Sequence, residues 1–317
     1  MEEARPQSRG VKLLRQIWPW AVGVAILAAI ATKVPYTSFR AAIGQGPHLD
    51  LAAIDLLVVV VTLCTDSFAT WVSLIALRMA RPLRQVLAVR GAIFVLFIIN
   101  YALGQGGFGY YLHRTGTPAP RAVGATLFLI GTNLAALLVM TFVATALGPV
   151  GDNRLWWTLM IGCSGYLVYL GVIWIVPASL ARRQVLAPLF DAGLRGHGLA
   201  MLVRIPHVLV MSFGILAAMR VWGIPVPLSA GLTIMPIVVI ASALPIAPAG
   251  LGTTQAALVV FFSQYASGAS GDDRSAAVLA FAIVHFVYGI LALLAVGLVC
   301  IPIARRSGVM PGRTASS

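Results

Sequence analysis

Two prolines and two glycines interrupt a long apolar segment in the stretch Ala243-Leu244-Pro245-Ile246-Ala247-Pro248-Ala249-Gly250-Leu251-Gly252-Thr253-Thr254-Gln255. Proline removes a backbone donor and clashes with the preceding turn, and glycine permits conformations that other residues avoid. A single straight helix therefore cannot run through residues 234–262. In hydrocarbon the freed backbone groups need partners, so such a break must be buried in protein or line a wet cavity. The stretch predicts a broken helix at membrane depth.

The composition around this stretch is that of a membrane protein. The 317 residues are 60% hydrophobic and 10% charged, whereas soluble domains carry about 25% charged residues. Mean hydropathy is +0.94. Apolar runs recur from Trp18 onward, and no polar segment between them is long enough to form a soluble domain. We predict an all-α polytopic protein with a single integral membrane domain over residues 1–317 and flexible tails at 1–10 and 305–317.

The formal net charge of +13 does not indicate nucleic-acid binding. The arginines and lysines lie mostly in short segments between apolar runs, which is the positive-inside pattern of membrane proteins. Anionic lipid headgroups remain plausible secondary partners for this charge. We therefore predict no nucleic-acid partner.

The apolar runs predict about six full transmembrane helices. They cover residues 18–34, 51–77, 122–147, 155–176, 206–222 and 275–303. Residues 35–50 are interpreted as an outer loop or a short interfacial piece. Basic segments that include Arg90 after the second run and Arg204 before the fifth are assigned to the cytoplasm.

The first run allows two interpretations. Ala29-Ile30-Ala31 is similar to a signal-peptidase site, so residues 18–34 could belong to a cleaved signal peptide. We favour a retained anchor, because the internal symmetry described below requires this helix.

Residues 91–111 and 229–265 are each predicted to enter the membrane and turn back. The 13 apolar residues from Gly91 to Leu103 would form about 20 Å of helix, which is short of the ~30 Å hydrocarbon core. If residues 91–111 turn back, 17 of the 22 Lys and Arg residues lie inside, whereas a full crossing gives 11 inside and 11 outside. The positive-inside rule favours the re-entrant hairpin. For residues 229–265 the count is the same either way, and the short apolar length of 253–265 favours re-entry.

This order of elements predicts an inverted repeat. Each half, about 11–147 and 155–304, contains span, span, hairpin and span, and the odd number of spans places the two halves in opposite orientations. Similar short sequences in the two hairpins, Ala102-Leu103 through Gly107-Phe108-Gly109 and Ala243-Leu244 through Gly250-Leu251-Gly252, support the pairing. Inverted repeats place a binding site near the bilayer midplane. We expect the inner (cytoplasmic) membrane, with both termini in the cytoplasm.

Two motifs resemble the transmembrane region of the lysylphosphatidylglycerol synthase family, also described as a flippase-like family. The first is the glycine-rich segment from Asn100 to Gly116, and the second runs from Leu244-Pro245 through Gly250-Leu251-Gly252 to Gln255. The second is similar to the family pattern Pro-x-x-Pro-x-Gly-x-Gly-x-x-Glu, with Gln255 in place of the acid. The first lacks the proline and acidic residue usual in the family.

The resemblance implies movement of a phospholipid or polyprenyl-type lipid between leaflets. Residues 1–317 include no aminoacyl-transferase domain, so we do not expect lipid aminoacylation from them.

The glycines of the first hairpin have two compatible interpretations. They permit a tight turn and close helix packing, and the helix ends at such a turn present backbone donors to a phosphate. The sequence from Gly104 to Gly109 fits the dinucleotide-binding pattern Gly-x-Gly-x-x-Gly. No strand precedes it, so we reject a nucleotide-binding role. With the second hairpin and nearby polar side chains, the predicted headgroup site comprises Asp66, Gln105, Gly106, Gly107, Gly109, Arg114, Pro245, Pro248, Gly250, Gly252 and Gln255.

Asp66 is the strongest single candidate, because it lies near the centre of the second span. A charged residue there costs at least ~2.5 kcal/mol to insert and is expected to face a partner or a cavity. The alternatives are a structural salt bridge or protonation in place. Asp55, 11 residues earlier, lies on nearly the same helix face but nearer the outer end, where it can reach water.

The remaining polar residues leave their roles open. Asp66 and His285 are candidates for proton or ion coupling, although a lone histidine is more often a hydrogen-bonded packing residue. Asn133 is central and polar. Gln105 and Gln255 could bind a headgroup or cap freed backbone, and Arg114 could bind phosphate or anchor the chain in the cytoplasm. The spacing of Cys64, Cys163 and Cys300 indicates neither a disulfide nor a metal site, and no cofactor is expected.

The sequence thus predicts a flippase-like translocator, and not an enzyme, that carries an anionic phospholipid or polyprenyl-phosphate-type lipid through a midplane cavity between the hairpins. One alternative is an intramembrane enzyme acting on lipid phosphate or sugar groups. Another is a non-transporting partner subunit in envelope lipid biosynthesis. An oligomer or an enzyme partner is left open.

Overall fold

The computed structural model describes residues 9–147, 153–243 and 247–306, and their regular structure is entirely helical. The prediction of an all-α membrane protein is confirmed. In chain order the α-helices are α1 (Arg9–Ala31), α2 (Tyr36–Gly44), α3 (His48–Ala76), α4 (Leu83–Ala92), α5 (Phe94–Ile99), α6 (Tyr101–Arg114), α7 (Ala119–Leu147), α8 (Asn153–Ile175), α9 (Ala178–Ala181), α10 (Ala187–Val221), α11 (Leu228–Ala243), α12 (Thr253–Phe262) and α13 (Gly271–Arg306). Short 3₁₀ turns at Pro248–Gly250 and Ser263–Tyr265 flank α12.

Proline marks the start of several of these helices. Pro35, Pro47, Pro82 and Pro177 are the residues immediately before α2, α3, α4 and α9. Proline lacks a backbone N–H, and the first N–H groups of a helix have no partner within it, so proline costs little there. These prolines separate the apolar runs into distinct helices.

Four helices are long and apolar enough to cross a membrane. They are His48–Ala76, Ala119–Ala146, Ala187–Val221 and Gly271–Arg306. The pair Trp20–Ala31 and Tyr36–Gly44, bent by 105°, makes five if it counts as one span. Of the other two predicted spans, the first corresponds to α1, which belongs to this bent pair, and the second to α8, whose apolar part Leu159–Ile175 is shorter than a full span, so six spans stay a prediction. The chain is therefore a multi-pass membrane protein with four to five candidate spans among its described helices.

Helices α3 and α10 form the centre of the bundle and run antiparallel. Asp66 contacts Arg204, and eight residues earlier Val58 lies against Gly214, so residue numbers fall along α3 as they rise along α10. A Cβ atom added at Gly214 would lie 2.6 Å from a methyl group of Val58, so the glycine permits this close approach. α7 packs on α10, and α13 packs on α3 and α4.

α4 to α6 fold as a helical hairpin. At its open end the Arg81 guanidinium donates to the Thr115 carbonyl at 2.9 Å. At its tip Asn100 adopts an extended conformation, and its side-chain oxygen accepts from the Ala102 N–H at 2.7 Å. Between these ends, Gly104 of α6 lies directly under the ring of Phe97 of α5. The chain therefore enters and leaves this hairpin at the same end.

α11 and α12 form a second helix–turn–helix unit around the broken stretch. The Thr253 hydroxyl donates to the Ala241 carbonyl at 3.1 Å across the connection. Gly250 and Gly252 take left-handed φ values of 73° and 82°, which favour glycine. The Gly252 turn lies against Gly23, halfway along α1, and the Pro248–Gly250 turn contacts α5. The predicted break is confirmed, and the two helical pairs meet near their tips.

The structure corrects the assignment of two arginines to cytoplasmic segments. Arg90 lies within α4 and Arg204 within α10, and they are 4% and 3% exposed. α10 begins at Ala187, well before the predicted start of its span at Pro206, kinks at Gly193, where φ is 56°, and continues through Pro206 to Val221. In the charge count for the re-entrant topology, both arginines were counted as inside. Without them, 15 Lys and Arg residues lie inside and 5 outside, so the count still favours re-entry.

Candidate functional site

A cavity of about 240 Å³ lies between the central helices and the first helical hairpin. Its wall includes Val239 and Ser242 from the C-terminal half of α11. The polar and charged residues that line it are Thr62, Asp66, Arg90, Tyr101, Gln105, Asn133, Arg204, His207 and Ser242. This concentration of polar groups inside an apolar bundle is the strongest candidate site in the described part of the chain.

Asp66 is the centre of the polar cluster. Nε and Nη2 of Arg90 both lie 2.5 Å from its Oδ2 atom. The other carboxylate oxygen, Oδ1, accepts from Nη1 of Arg204. The three side chains come from α3, α4 and α10, so Asp66 ties the first hairpin to both central helices. Of the interpretations open from the sequence, a buried salt bridge is the one that the structure shows.

Arg90 is held by further contacts on the hairpin. Its Nη1 donates to Gln105 Oε1 at 3.3 Å, and Gln105 Nε2 donates to the Tyr101 hydroxyl at 2.9 Å. The guanidinium also lies over the rings of Phe97 and Phe108, 5.7 and 5.4 Å from their centroids. Such cation–π contacts contribute roughly 0.5–2 kcal/mol each when desolvated. The hairpin therefore fixes the orientation of Arg90.

Arg204 is less completely satisfied. Its Nη2 donates to the Thr70 hydroxyl at 3.0 Å, but its buried Nε has no hydrogen-bond partner. One turn along α10, His207 Nδ1 lies 3.5 Å from the Thr65 hydroxyl, at the limit of a hydrogen bond. Arg204 therefore lines the cavity and has one N–H group, at Nε, without a hydrogen-bond partner.

The cavity wall carries an excess of positive charge. Two arginines share one carboxylate, and Asp66 and the two guanidiniums are each at most 4% exposed. Besides Arg204 Nε, the side-chain oxygens of Thr62 and Asn133 are buried without a partner. An uncompensated buried charge is costly, and unpaired buried polar groups add about 1–3 kcal/mol each. An anion would compensate the charge, and its oxygens could accept from Arg204 Nε and the Thr62 hydroxyl, whereas Asn133 Oδ1 is an acceptor and needs a donor.

Among the predicted residues of the first hairpin, only Gln105 lines this cavity with Asp66. Gly107 packs under Leu96 and Gly109 against Thr126, while Gly106 faces open space. These glycines form the surface of a shallow groove between α6 and α7 or allow close packing. Arg114 is exposed at the end of α6 and is outside the cavity lining.

The described members of the predicted site in the second hairpin, Pro248, Gly250, Gly252 and Gln255, support its turn and are not among the cavity-lining residues. Pro248, Gly250 and Gly252 form the break. Gln255 is 1% exposed, and its Oε1 accepts from the Gly252 N–H at 2.6 Å, so it caps the backbone freed at the turn. Pro245 lies outside the described residues.

Asp55 and His285 form a separate pair. His285 Nδ1 lies 2.8 Å from Asp55 Oδ1, which joins α3 to α13. The expectation that Asp55 reaches water is wrong, because its side chain is 2% exposed. His285 thus lies beside Asp55, 11 residues from Asp66 along α3, so the two candidates for proton or ion coupling, Asp66 and His285, have different partners.

Arg90, Arg204 and Tyr101 were not among the predicted site residues. Arg204 could have been found, because apolar residues flank it on both sides from Leu199 to Val210. Arg90 follows three other arginines, so nothing local separates it from a cytoplasmic cluster. A comparison of the sequence with protein-family models and with curated proteins found no match.

Proposed function

We propose that the protein is a membrane lipid translocator that binds an anionic headgroup in the Asp66 cavity, with a phospholipid or a polyprenyl-phosphate-type lipid as substrate. The observation that carries this proposal is the pair of buried arginines around a single carboxylate. Their net charge of about +1 is stable at membrane depth only with an anion close by, since isolated charges there cost several kcal/mol.

The size of the cavity fits a headgroup. Pockets for whole drug-sized ligands occupy about 300–1,000 Å³, and this cavity measures about 240 Å³. A phosphate-bearing headgroup can enter while its acyl or prenyl chain stays in lipid. Arg204 and Thr62 line the cavity, and Arg204 Nε and the Thr62 hydroxyl are buried without a hydrogen-bond partner. Arginine suits this role because its planar fork matches phosphate oxygens.

The packing of the helices supports an inverted repeat with two re-entrant hairpins. If α3, the α4–α6 hairpin and α7 correspond to α10, the α11–α12 hairpin and α13, most contacts occur in matched pairs. α13 packs on α3 as α7 packs on α10, α6 on α7 as α12 on α13, and α4 on α3 as α11 on α10. α1 and α8 do not follow this correspondence.

The antiparallel contact of α3 with α10 is the contact expected at the axis of such a repeat. Asp66 and Arg204 lie at this contact, and the tips of the two hairpins meet beside it. A site at the axis can face either leaflet when one half moves against the other. We place the protein in the inner membrane with both termini cytoplasmic, following the positive-inside rule.

The test is lipid scrambling by the full chain reconstituted in phosphatidylcholine vesicles containing fluorescent phosphatidylglycerol. Fluorescence loss on adding an impermeant quencher reports how fast the probe exchanges between leaflets. We expect the protein to accelerate exchange of phosphatidylglycerol over phosphatidylcholine with the same tails. Arg204→Gln leaves a neutral Asp66–Arg90 pair, and we expect about tenfold slower exchange because a charge-assisted hydrogen bond contributes about 1.5–3 kcal/mol.

The matched control is Arg195→Gln, which removes an exposed arginine from the same helix and should leave the rate unchanged. The proposal fails if the native protein behaves like empty vesicles, or if the two variants are equal. Recovery of chemically altered probe would instead identify an intramembrane enzyme.

A further inference from the structure

The Asp55–His285 pair is not part of the cavity lining and has one unpartnered carboxylate oxygen. Asp55 Oδ1 contacts His285 Nδ1 at 2.8 Å, while Oδ2 is buried and has no partner. The His285 side chain is 21% exposed, and its ring stacks on Phe281 at 5.3 Å between centroids. A neutral imidazole in contact with a carboxylate can take up one further proton, because the negative charge of the carboxylate stabilises the imidazolium.

Asp66 is poorly suited to carry a proton. Arginine stays protonated, so a neutral Asp66 would leave both guanidiniums buried without a counter-charge. Asp55 and Asp66 are the buried acids of the described residues. Of these two, only Asp55 has a partner that can itself change charge.

The pair lies in line with the cavity. Asp55, Thr62 and Asp66 are separated by 7 and 4 residues on α3, which places them within about 40° on one face of the helix. Thr62 lines the cavity, about 6 Å along the axis from Asp66 and about 10 Å from Asp55. The Thr62 hydroxyl, like Asp55 Oδ2, is buried without a partner. This face offers polar groups between the pair and the headgroup site.

Other polar groups lie near the pair but already have partners. His48 Nε2 lies 2.8 Å from the Ile43 carbonyl oxygen, and His48 Nδ1 lies 3.0 Å from the Tyr288 hydroxyl, so both ring nitrogens have hydrogen-bond partners of their own. From α10 and α12 the pair's end of the bundle receives apolar side chains such as Met219, Leu258 and Phe262. Charged or titratable groups on the elements packed at this end include Tyr36 and Arg40 of α2, Asp50 of α3, Arg220 of α10, Tyr265 beside α12, and Asp272, Asp273 and Arg274 at the start of α13, where Asp273 accepts from the Ser38 hydroxyl of α2.

We propose that the Asp55–His285 pair is a proton-binding site coupled to the headgroup cavity. One proton from water converts the pair from a net charge of −1 to neutral, with no other bond made or broken. An anion in the cavity makes its surroundings less positive, so it favours proton uptake by the pair. The coupling to the headgroup rests on the proposed function, whereas the proton site itself does not.

The size of the coupling follows from the separation of the two sites. Asp55 and Asp66 lie about 16 Å apart along the helix axis. At an effective dielectric constant of about 20, unit charges at this distance interact enough to change a proton affinity about fivefold, a midpoint shift of about 0.7 pH unit. By linkage, proton binding strengthens anion binding by the same factor.

The experiment is an infrared pH titration of the full chain in phosphatidylcholine vesicles, without and then with short-chain phosphatidylglycerol as probe. We expect carboxylate and imidazole bands that titrate together, and a rise of about 0.7 pH unit in their midpoint when the probe is present. Asp55→Asn should remove the carboxylate band and with it the joint titration of the two bands. Asp50→Asn, an exposed acid on the same helix, should preserve them.

The possible outcomes distinguish failure of the proton site from failure of the headgroup site. If a carboxylate band still titrates together with the imidazole band in Asp55→Asn, the proton site is overturned. If Asp55→Asn fails to fold, His285→Gln retains a donor for the carboxylate, and an unchanged titration in that variant overturns the site equally. If the probe does not bind while the titration is seen, the headgroup site fails and the proton site stands. A titration that depends on sodium in place of choline would indicate a metal-cation site and overturn the proposal.

Discussion

At the residue scale, one carboxylate organises the interior. Asp66 joins residues 24 and 138 positions away in sequence, through Arg90 and Arg204, at a depth where an unpaired acid would be expensive. A buried ion pair is weak support for stability in itself, because desolvation offsets its attraction. Its removal is nonetheless costly, since the partners stay buried and charged. The cluster therefore makes the bundle depend on this one side chain.

Asp66→Asn should destabilise the protein by about 3–5 kcal/mol, because it leaves two buried guanidiniums without a counter-charge. The measurement is thermal unfolding of the full chain in detergent. Asp191→Asn is the matched control, since Asp191 pairs with Arg121 at 2.5 Å on the surface, where both side chains are more than a third exposed. A surface pair contributes about 0.2–1 kcal/mol. Equal losses for the two variants would contradict the buried network.

The double variant Asp66→Asn with Arg204→Gln should recover part of this loss, since it restores a single unpaired guanidinium. It should also bind short-chain phosphatidylglycerol more tightly than Arg204→Gln alone, because the cavity then regains a net charge of about +1. Equilibrium binding of the probe to the three purified variants checks this order. Binding that is equal in Arg204→Gln and the double variant would show that cavity charge does not govern anion affinity.

At the element scale, glycine positions decide how closely the hairpin helices approach. A Cβ atom added at Gly104 would lie 2.3 Å from the Phe97 ring, whereas one added at Gly106 would meet open space. The hairpin in turn holds Arg90 through Gln105 and the two phenylalanine rings. Close packing of α5 on α6 is therefore a condition for the geometry of the cavity.

Gly104→Ala should force the Phe97 ring to move and cost about 1–3 kcal/mol, as overpacking of a close contact does. Gly106→Ala, two residues away on the same helix, should stay within about 0.5 kcal/mol of the native protein. Thermal unfolding of both variants in detergent gives the comparison. A larger loss for Gly106→Ala would mean that α5 and α6 are not packed as described.

At the scale of the whole molecule, the proposal depends on which side of the membrane each connection occupies. The contact of Arg81 with Thr115 shows that the first hairpin closes on itself. Its two ends therefore lie on one side of the bundle. A re-entrant hairpin requires that they also lie on one side of the membrane.

Single cysteines at Arg84 and Pro118, both exposed, should react from the same side of oriented vesicles with an impermeant maleimide. Cysteines at Gln45 and Ser267 should react only from the opposite side. The background replaces Cys64, Cys163 and Cys300 with alanine. Reaction of Arg84→Cys and Pro118→Cys from opposite sides would exclude re-entry and the inverted repeat with it.

The sequence alone determined the features that depend on local composition. Apolar runs identified a helical membrane protein, and the prolines and glycines of residues 243–255 located the break, because both effects act within a few residues. Asp66 was identifiable for the same reason, as an acid in the middle of an apolar run.

Only the tertiary structure decided what Asp66 and Asp55 contact. Arg90 follows other arginines and resembles a cytoplasmic residue in sequence, and His285 lies 230 positions from Asp55. Gln255 could equally have faced a ligand, and the fold placed it on the Gly252 backbone. An ion pair between distant helices depends on which faces pack together, and neither hydropathy nor charge counting contains that information. The cavity and its excess of positive charge are therefore properties of the folded bundle.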